Sequence, residues 1–216
     1  MTDLVLYTHP MSRGRIARWM LEEIGVPYRT EVLDYATSMK APAYLAINPM
    51  GKVPAIVHDG RVVTECAAIC AYLADAFPAA KLAPLPSERA DYYRWMFFAA
   101  GPLESAVTVL SLGAIVPPDR KSMVGFGSMA EVLATLEALL ATRDFIIGDT
   151  FTAADVYVGS HLRWGMGFGA IPGNAVFTAY SERLEQRPAL VRATATDDGL
   201  IAAASSPAPT LLSDRT

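Results

Sequence analysis

The chain has 216 residues, of which 52% are hydrophobic and 19% charged, as is typical of a folded and rather apolar protein and not of a disordered one. The chain contains 18 Lys and Arg residues and 22 Asp and Glu residues. Because no strongly basic segment is present to neutralise phosphates, we expect no nucleic-acid partner. No stretch approaches the ~20 apolar residues of a membrane span, and the first residues lack the basic start of a secretory signal. We therefore expect no membrane partner and a cytoplasmic location.

The chain begins with a pattern that predicts a strand, a helix and a second strand. The apolar run Leu4–Tyr7 ends at His9-Pro10 and is typical of a short buried strand. Apolar residues then recur at helical spacing from Ile16 to Ile24 and stop at Gly25. The segment Tyr28–Val32 predicts a strand parallel to the first, because a right-handed crossover joins them.

The next segment predicts a short helix, a hairpin and a longer helix. The short helix is expected at Tyr44–Ile47. Val53–Val57 and Arg61–Thr64 flank Asp59-Gly60, a dipeptide that favours a tight turn between antiparallel strands. Helical spacing resumes at Glu65 and runs to Phe77. The predicted order over residues 1–77 is β-α-β-α-β-β-α.

Residues 78–87 contain three prolines, predict a stiff linker without regular structure, and separate this first domain from a second one at 88–216. We expect the second domain to be all-helical. Its predicted helices are Glu88–Leu112, Asp119–Thr142, Ala153–Gly167, Ala175–Gln186 and one after Pro188. Thr152 and Asp155 predict a capping box at the third of these helices, a folding device and not a catalytic pair. In the first domain, Arg18 is expected to pair with Glu22 four positions on.

The segment Asn48–Pro54 and the start of the following helix together suggest a binding site. A cis bond before Pro54 would turn the backbone of Val53 outward, free to pair with an extended peptide ligand. The helix that opens near Glu65 offers unpaired N–H groups for a carboxylate, while the Glu65 side chain can face an ammonium group. One ligand that needs both is an amino acid. The simpler interpretation is a hairpin in which Pro and Gly only shape the turns.

With Ala68–Ala74 after it, this stretch resembles the glutathione site of the glutathione S-transferase family. The resemblance implies that the first domain is thioredoxin-like and that Val53 pairs with the cysteinyl unit of glutathione. It also implies that Glu65 and the residue at position 66 hold the amino and carboxylate groups of the γ-glutamyl end. Cys66 stands where the family usually has Ser, and a thiol is the weaker hydrogen-bond donor. Lys52 either attracts the negative charge of glutathione or makes no specific contact.

The loop from the first strand into the first helix carries the candidate catalytic residues. In the family a Tyr, Ser or Cys of this loop stabilises the glutathione thiolate, and Ser12 resembles the serine of the serine-type, bacterial-like cytosolic members. Ser12 is our first candidate and Tyr7 the alternative. The competing interpretation of Ser12 is a helix N-cap that never meets a sulfur atom.

The resemblance implies a glutathione transferase that uses glutathione as cosubstrate and needs no metal. Helices after the linker would line a pocket for a small hydrophobic electrophile, with Met11, Phe97 and Trp164 as candidates. A homodimer is also implied. Two alternatives stay open: a glutathione-dependent thiol oxidoreductase or isomerase, which usually shows a Cys in the first loop, and a non-catalytic interaction protein of the same fold.

Overall fold

A computed structural model describes residues 3–205, so 206–216 of the predicted helical domain lie outside the described residues. Four strands form one sheet in the order β2-β1-β3-β4. They are β1 (Leu4–Thr8), β2 (Arg29–Val32), β3 (Ala55–His58) and β4 (Arg61–Thr64). As predicted, β1 and β2 are parallel, and β3 and β4 are antiparallel. The structure adds that β3 is also antiparallel to β1.

Three helices cover this sheet: α1 (Gly14–Ile24), α2 (Pro42–Leu45) and α3 (Cys66–Ala76). Leu4 and Leu6 of β1 belong to the main core with α1 and α3, whereas Tyr7 packs in a smaller core with Met39 and Tyr44. Because successive strand residues point to opposite faces, α2 lies on the other side of the sheet from α1 and α3. The predicted thioredoxin-like arrangement is confirmed.

The remaining described chain contains helices and no further strand of a sheet, which confirms the predicted fold class. The segment 78–87 was predicted to lack regular structure, and this is wrong: it contains a 3₁₀ turn at Pro78–Ala80 and the start of another at Pro86–Glu88. Each begins at a proline, which is tolerated there because the first N–H of a helical turn has no partner to lose. The longer helices are α4 (Arg89–Phe98), α5 (Glu104–Ser111), α6 (Met129–Leu140), α7 (Ala153–Gly167), α8 (Ala175–Glu185) and α9 (Pro188–Ser205).

Two predicted helices differ from the structure. The helix expected at Glu88–Leu112 carries a π-helical turn at Ala99–Leu103, where Pro102 has no N–H to donate to the helical ladder. The helix expected to begin near Asp119 begins at Met129 instead. The preceding chain forms a 3₁₀ turn and then passes through Gly127 at φ +63°, a conformation that ends helical hydrogen bonding.

The capping box at α7 is present and lies in the core. Asp155 is fully buried and accepts hydrogen bonds from the N–H of Thr152 (2.8 Å), the N–H of Ile146 (2.7 Å) and the hydroxyl of Tyr180 (2.9 Å). Burial raises the pKa of Asp155 to about 6, although the hydrogen-bond donors favour the ionised form and partly oppose this rise. Its contacts join α7 to α8 and to the loop before α7, so its role is structural.

The first and last helices are joined by a buried ion pair. Arg18 of α1 donates from Nε to Asp197 of α9 at 2.9 Å, and both side chains are almost completely buried. The expected pairing of Arg18 with Glu22 is wrong, because Glu22 instead accepts from the Tyr28 hydroxyl and from Arg192, both at 2.9 Å. The tertiary packing of α9 on α1 supplies a partner that local spacing could not predict.

We predict that Asp197→Ala lowers the free energy of unfolding by about 3–5 kcal/mol, because it leaves the Arg18 guanidinium buried without its counter-charge. Urea denaturation measures this loss. The control is Asp198→Ala, which removes the exposed partner of Arg15 and should cost at most about 1 kcal/mol. Equal losses in the two variants would contradict a special contribution from the buried pair.

Candidate functional site

The loop between α2 and β3 is held in place by side chains around it. The C=O of Lys52 accepts from the Tyr44 hydroxyl at 2.6 Å and from Nδ2 of Asn48 at 2.8 Å. Gly51 sits at φ +57°, and a Cβ there would come within 2.9 Å of the C=O of Met39. This position therefore requires glycine both for its backbone conformation and for its space. The loop is fixed before it reaches Val53.

The backbone at Val53 is unpaired, as the sequence suggested. The Val53–Pro54 bond is cis, and Pro54 is buried. Within residues 3–205, neither the N–H nor the C=O of Val53 makes a hydrogen bond. Lys52 beside it is exposed. An extended ligand can add to this edge through main-chain hydrogen bonds.

Glu65 joins β4 directly to α3 and adopts an unusual conformation. Its φ of +63° is on the left-handed side that L-residues other than glycine rarely adopt, and its side chain is exposed. Such a residue stores about 1–3 kcal/mol of strain, and strained residues cluster at functional sites. No side chain caps α3, so its first N–H groups remain available to an anion.

Cys66 directs its thiol into the protein. The side chain is buried, and Sγ donates to the C=O of Arg13 at 3.6 Å. A hydrogen bond to Cys70, together with burial, raises the pKa of the Cys66 thiol well above its ordinary value. The thiol is thus engaged with the loop that follows β1, and this contact brings that loop next to the start of α3.

Ser12 lies one residue before Arg13, the N-cap residue of α1, which has no side-chain cap. The Oγ of Ser12 accepts from the N–H of Gly14 at 2.9 Å and donates to the C=O of His9 at 2.6 Å. The bond from Gly14 reaches the first residue of α1, so Ser12 precedes the N-cap position and does not occupy it. Tyr7 is half-buried, and its ring lies 5.6 Å from that of Tyr44, on the α2 side of the sheet.

A cavity of about 660 Å³ opens beside Ser12, between the loop after β1 and the helical domain. Of the predicted cosubstrate residues, Met11 and Trp164 line it. Phe97 does not, and its side chain is 73% exposed on α4. The buried face of α4 is taken by Tyr92, Trp95 and Met96, which leaves Phe97 on the outer face.

A polar cluster that the sequence did not reveal lies at this cavity. Arg13 contacts Oε1 of Glu104 at 2.7 Å, and the Tyr157 hydroxyl donates to Oε2 of the same carboxylate at 3.1 Å. His161 of α7 is buried, with Nε2 at 3.8 Å from that Oε2, beyond hydrogen-bond distance. Burial, with Arg13 nearby, lowers the pKa of His161 to about 4. A single His within a largely apolar helix carried no sequence signal.

Comparison with known proteins places this site in a family. The glutathione S-transferase N-terminal domain matches residues 11–76, and the glutathione S-transferase C-terminal domain matches residues 119–164. A glutathione S-transferase of Xanthomonas campestris pv. campestris is 31% identical over 189 residues, covering 83% of this chain and 91% of that protein. The chain therefore belongs to the glutathione S-transferase family, which confirms the predicted family and the predicted enzyme class, a glutathione transferase.

Solved structures agree with this membership. A glutathione transferase from Methylococcus capsulatus is 28% identical, has a TM-score of 0.74, and covers 91% of this chain and 99% of that one. A sphingomonad glutathione S-transferase in complex with glutathione is 29% identical, with a TM-score of 0.72 over 90% of this chain and 98% of that one. Within the described residues, no helix has the length and apolar character to cross a membrane. No cluster of three His, Cys, Asp or Glu suited to a metal occurs there either.

We predict that Glu65→Gly raises the free energy of unfolding by about 1 kcal/mol, because glycine adopts the positive φ without strain. The same change should weaken glutathione binding at least tenfold by removing the carboxylate. Thermal unfolding and calorimetry measure the two effects. Glu65→Gln, which keeps the shape and the strain, should show no gain in stability. A glycine variant with undiminished affinity would exclude the side chain from the binding site.

Proposed function

We propose that the protein activates glutathione as a thiolate and directs its sulfur at an electrophilic carbon of a hydrophobic cosubstrate. The observation that carries this proposal is the position of the loop after β1. Ser12 lines the cavity next to the helical domain. The C=O of the neighbouring Arg13 accepts a hydrogen bond from the Cys66 thiol at the start of α3. One short loop thus borders both a peptide-binding edge and an apolar cavity. Holding two reactants side by side is itself a large source of rate enhancement.

Glutathione is assigned to the edge formed by Val53 and the start of α3. The unpaired backbone of Val53 suits the cysteinyl unit, and Pro54 shapes this edge. The first N–H groups of α3, including that of Cys66, suit the γ-glutamyl carboxylate, and the exposed Glu65 suits its ammonium group. Exposed Lys52 adds a positive charge near the anionic tripeptide. The glutathione complex of the sphingomonad relative supports glutathione as the cosubstrate.

Ser12 is the proposed thiolate-stabilising residue. A thiol of pKa ~8.5 is only slightly ionised at neutral pH, and lowering its pKa by ~2 units requires about 2.7 kcal/mol of stabilisation of the anion. A hydroxyl that turns from the C=O of His9 towards the sulfur can supply part of it. Tyr7 is the weaker candidate, because its ring packs in the small core on Tyr44 and is not part of the cavity wall.

The alternative functions receive less support. A thiol oxidoreductase needs a reactive cysteine, yet Cys66 and Cys70 are both buried, and the pKa of Cys66 is raised. A non-catalytic interaction protein has no need for an unpaired Val53 backbone or a strained Glu65. The transferase accounts for both features.

We predict that Ser12→Ala lowers kcat for conjugation of glutathione to an aryl halide at least tenfold, because the sulfur anion loses its hydroxyl donor. Tyr7→Phe should change kcat less than threefold. Steady-state kinetics, with the spectrophotometric pKa of bound glutathione, measure both effects.

The reverse pattern would transfer the role to Tyr7. Unchanged turnover in both variants would mean that backbone N–H groups stabilise the thiolate, and the assignment of Ser12 would then fail. Circular dichroism controls for folding, because Ser12→Ala also removes the hydrogen bond to the N–H of Gly14.

We further propose that the protein forms a homodimer, as the family resemblance implies. Two further hypotheses are a cytoplasmic location and a division of the chain into a first domain that ends at residue 77 and a second that begins at residue 88. Exposed apolar side chains on β4 and α4, namely Val62, Tyr93 and Phe97, are the surface we assign to the second copy.

We predict that the protein sediments at twice its mass of 23.2 kDa at micromolar concentration. Phe97→Glu should shift it towards the monomer, because it places a charge in an apolar interface. The matched control is Leu112→Glu, which changes a similarly exposed apolar side chain after α5. A monomeric wild type, or dissociation by the Leu112 change instead, would contradict this surface.

A further inference from the structure

Thr8, the last residue of β1, carries a buried hydroxyl without a hydrogen-bond partner. Leu4 and Leu6 point to the same side of the strand as Thr8 and lie in the main core. The Thr8 side chain is completely buried, and its Oγ1 has no hydrogen-bond partner within residues 3–205. Valine has the same shape and would fill this place without burying an unpaired hydroxyl. The hydroxyl of Thr8 is thus an unused donor inside the fold.

This unused hydroxyl lies close to Ser12, beside Gly14. A Cβ on Gly14 would overlap Oγ1 of Thr8 and would lie 2.9 Å from Oγ of Ser12. The two hydroxyls therefore approach the same point, and only a residue without a side chain leaves that point open. Gly14 is the first residue of α1 and does not have a positive φ, so the position requires glycine for its space and not for its backbone conformation.

Ser12 has an acceptor site that matches this donor. A hydroxyl carries one proton and two lone pairs. Oγ of Ser12 donates its proton to the C=O of His9 and accepts from the N–H of Gly14, so one lone pair remains without a donor among the described residues. When the proton turns from His9 to the glutathione sulfur, that lone pair stays available to Thr8. A hydrogen bond received by a hydroxyl strengthens the one that it donates.

We propose that Thr8 is a positioning residue: its hydroxyl donates to Oγ of Ser12 in the glutathione complex, holds the Ser12 proton on the sulfur and so lowers the pKa of the bound thiol. This inference rests on the proposed function and names what controls its thiolate-stabilising residue. The main chain of Thr8 is fixed in the sheet and at its edge, where its C=O accepts from the N–H of Leu33 at 2.8 Å. Thr8 keeps its own proton and contacts neither glutathione nor the electrophile.

The test compares Thr8→Val, which keeps the shape and removes the hydroxyl, with Thr8→Ser, which keeps the hydroxyl. Thr8→Val should raise the spectrophotometric pKa of bound glutathione by about 0.5 units, because Ser12 becomes a weaker donor. The conjugation rate should then fall about threefold at pH 6, where most of the thiol is protonated, and approach that of the wild type at pH 9. Thr8→Ser should keep the wild-type pKa and rates. A thiol pKa unchanged by Thr8→Val would overturn the inference.

Thermal unfolding separates this role from a purely structural one. Thr8→Val removes an unpaired buried hydroxyl, so Tm should stay level or rise by up to about 4 °C. A fall in Tm, with conjugation rates lowered equally at pH 6 and pH 9, would mean that the hydroxyl only supports the fold, and the proposed role of Thr8 would fail.

The double variant Ser12→Ala/Thr8→Val tests whether Thr8 acts through Ser12. In the Ser12→Ala background, Thr8→Val should leave the thiol pKa unchanged, and a rise as large as in the wild type would contradict the inference. A raised pKa in Ser12→Ala beside an unchanged pKa in Thr8→Val would refute the role of Thr8 and leave the proposed function standing.

A crystal structure with glutathione bound gives a readout that needs no turnover. We expect Oγ1 of Thr8 and Oγ of Ser12 to lie within about 3 Å of each other in that complex, and a separation above about 3.5 Å would overturn the contact. If the wild type does not lower the thiol pKa although the two oxygen atoms are in contact, thiolate activation is refuted while the Thr8 contact is supported.

Discussion

Arg13 connects the two parts of the site, and the arrangement around it depends on this connection. Its C=O accepts a hydrogen bond from the buried Cys66 thiol at the start of α3. Its guanidinium forms an ion pair with Glu104 of α5 at 2.7 Å. The loop that carries Ser12 is therefore held against both the thioredoxin-like domain and the helical domain. A loop attached to only one of them would not maintain a fixed distance between a sulfur atom and an electrophile, and reaction rates are sensitive to displacements of about 1 Å.

Helix α7 provides the rigid wall opposite this loop. Most of its side chains are buried, and the capping box with Asp155 fixes its first turn against α8 and the preceding loop. Trp164 and His161 occupy the later turns of the same helix and reach the cavity. Because their position follows from a buried helix with its first turn fixed, the cavity wall is pre-organised and does not depend on a mobile loop.

Local sequence patterns were sufficient to predict features that depend on residues close together in the chain. The order of elements along the first domain, the Asp59-Gly60 hairpin, the Thr152–Asp155 capping box and the cis bond before Pro54 were all predicted. Predictions failed where distant segments compete with local spacing. Arg18 has Glu22 at ideal helical spacing, yet α9 offers Asp197 inside the core, where a charge without a partner is far more costly than on the surface. The helix predicted from Asp119 begins only at Met129, after Gly127 at φ +63°.

The sequence by itself determined the family, the fold class and the turns around Pro54, because the spacing from Asn48 to Glu65 encodes turns and a helix start that form locally. Only the tertiary structure decided which helical side chains meet the loop after β1. Phe97 faces outward, His161 lines the cavity, and the Cys66 thiol contacts Arg13. These outcomes depend on how helices from distant parts of the chain pack together, and a helical repeat specifies an apolar face without specifying its neighbour.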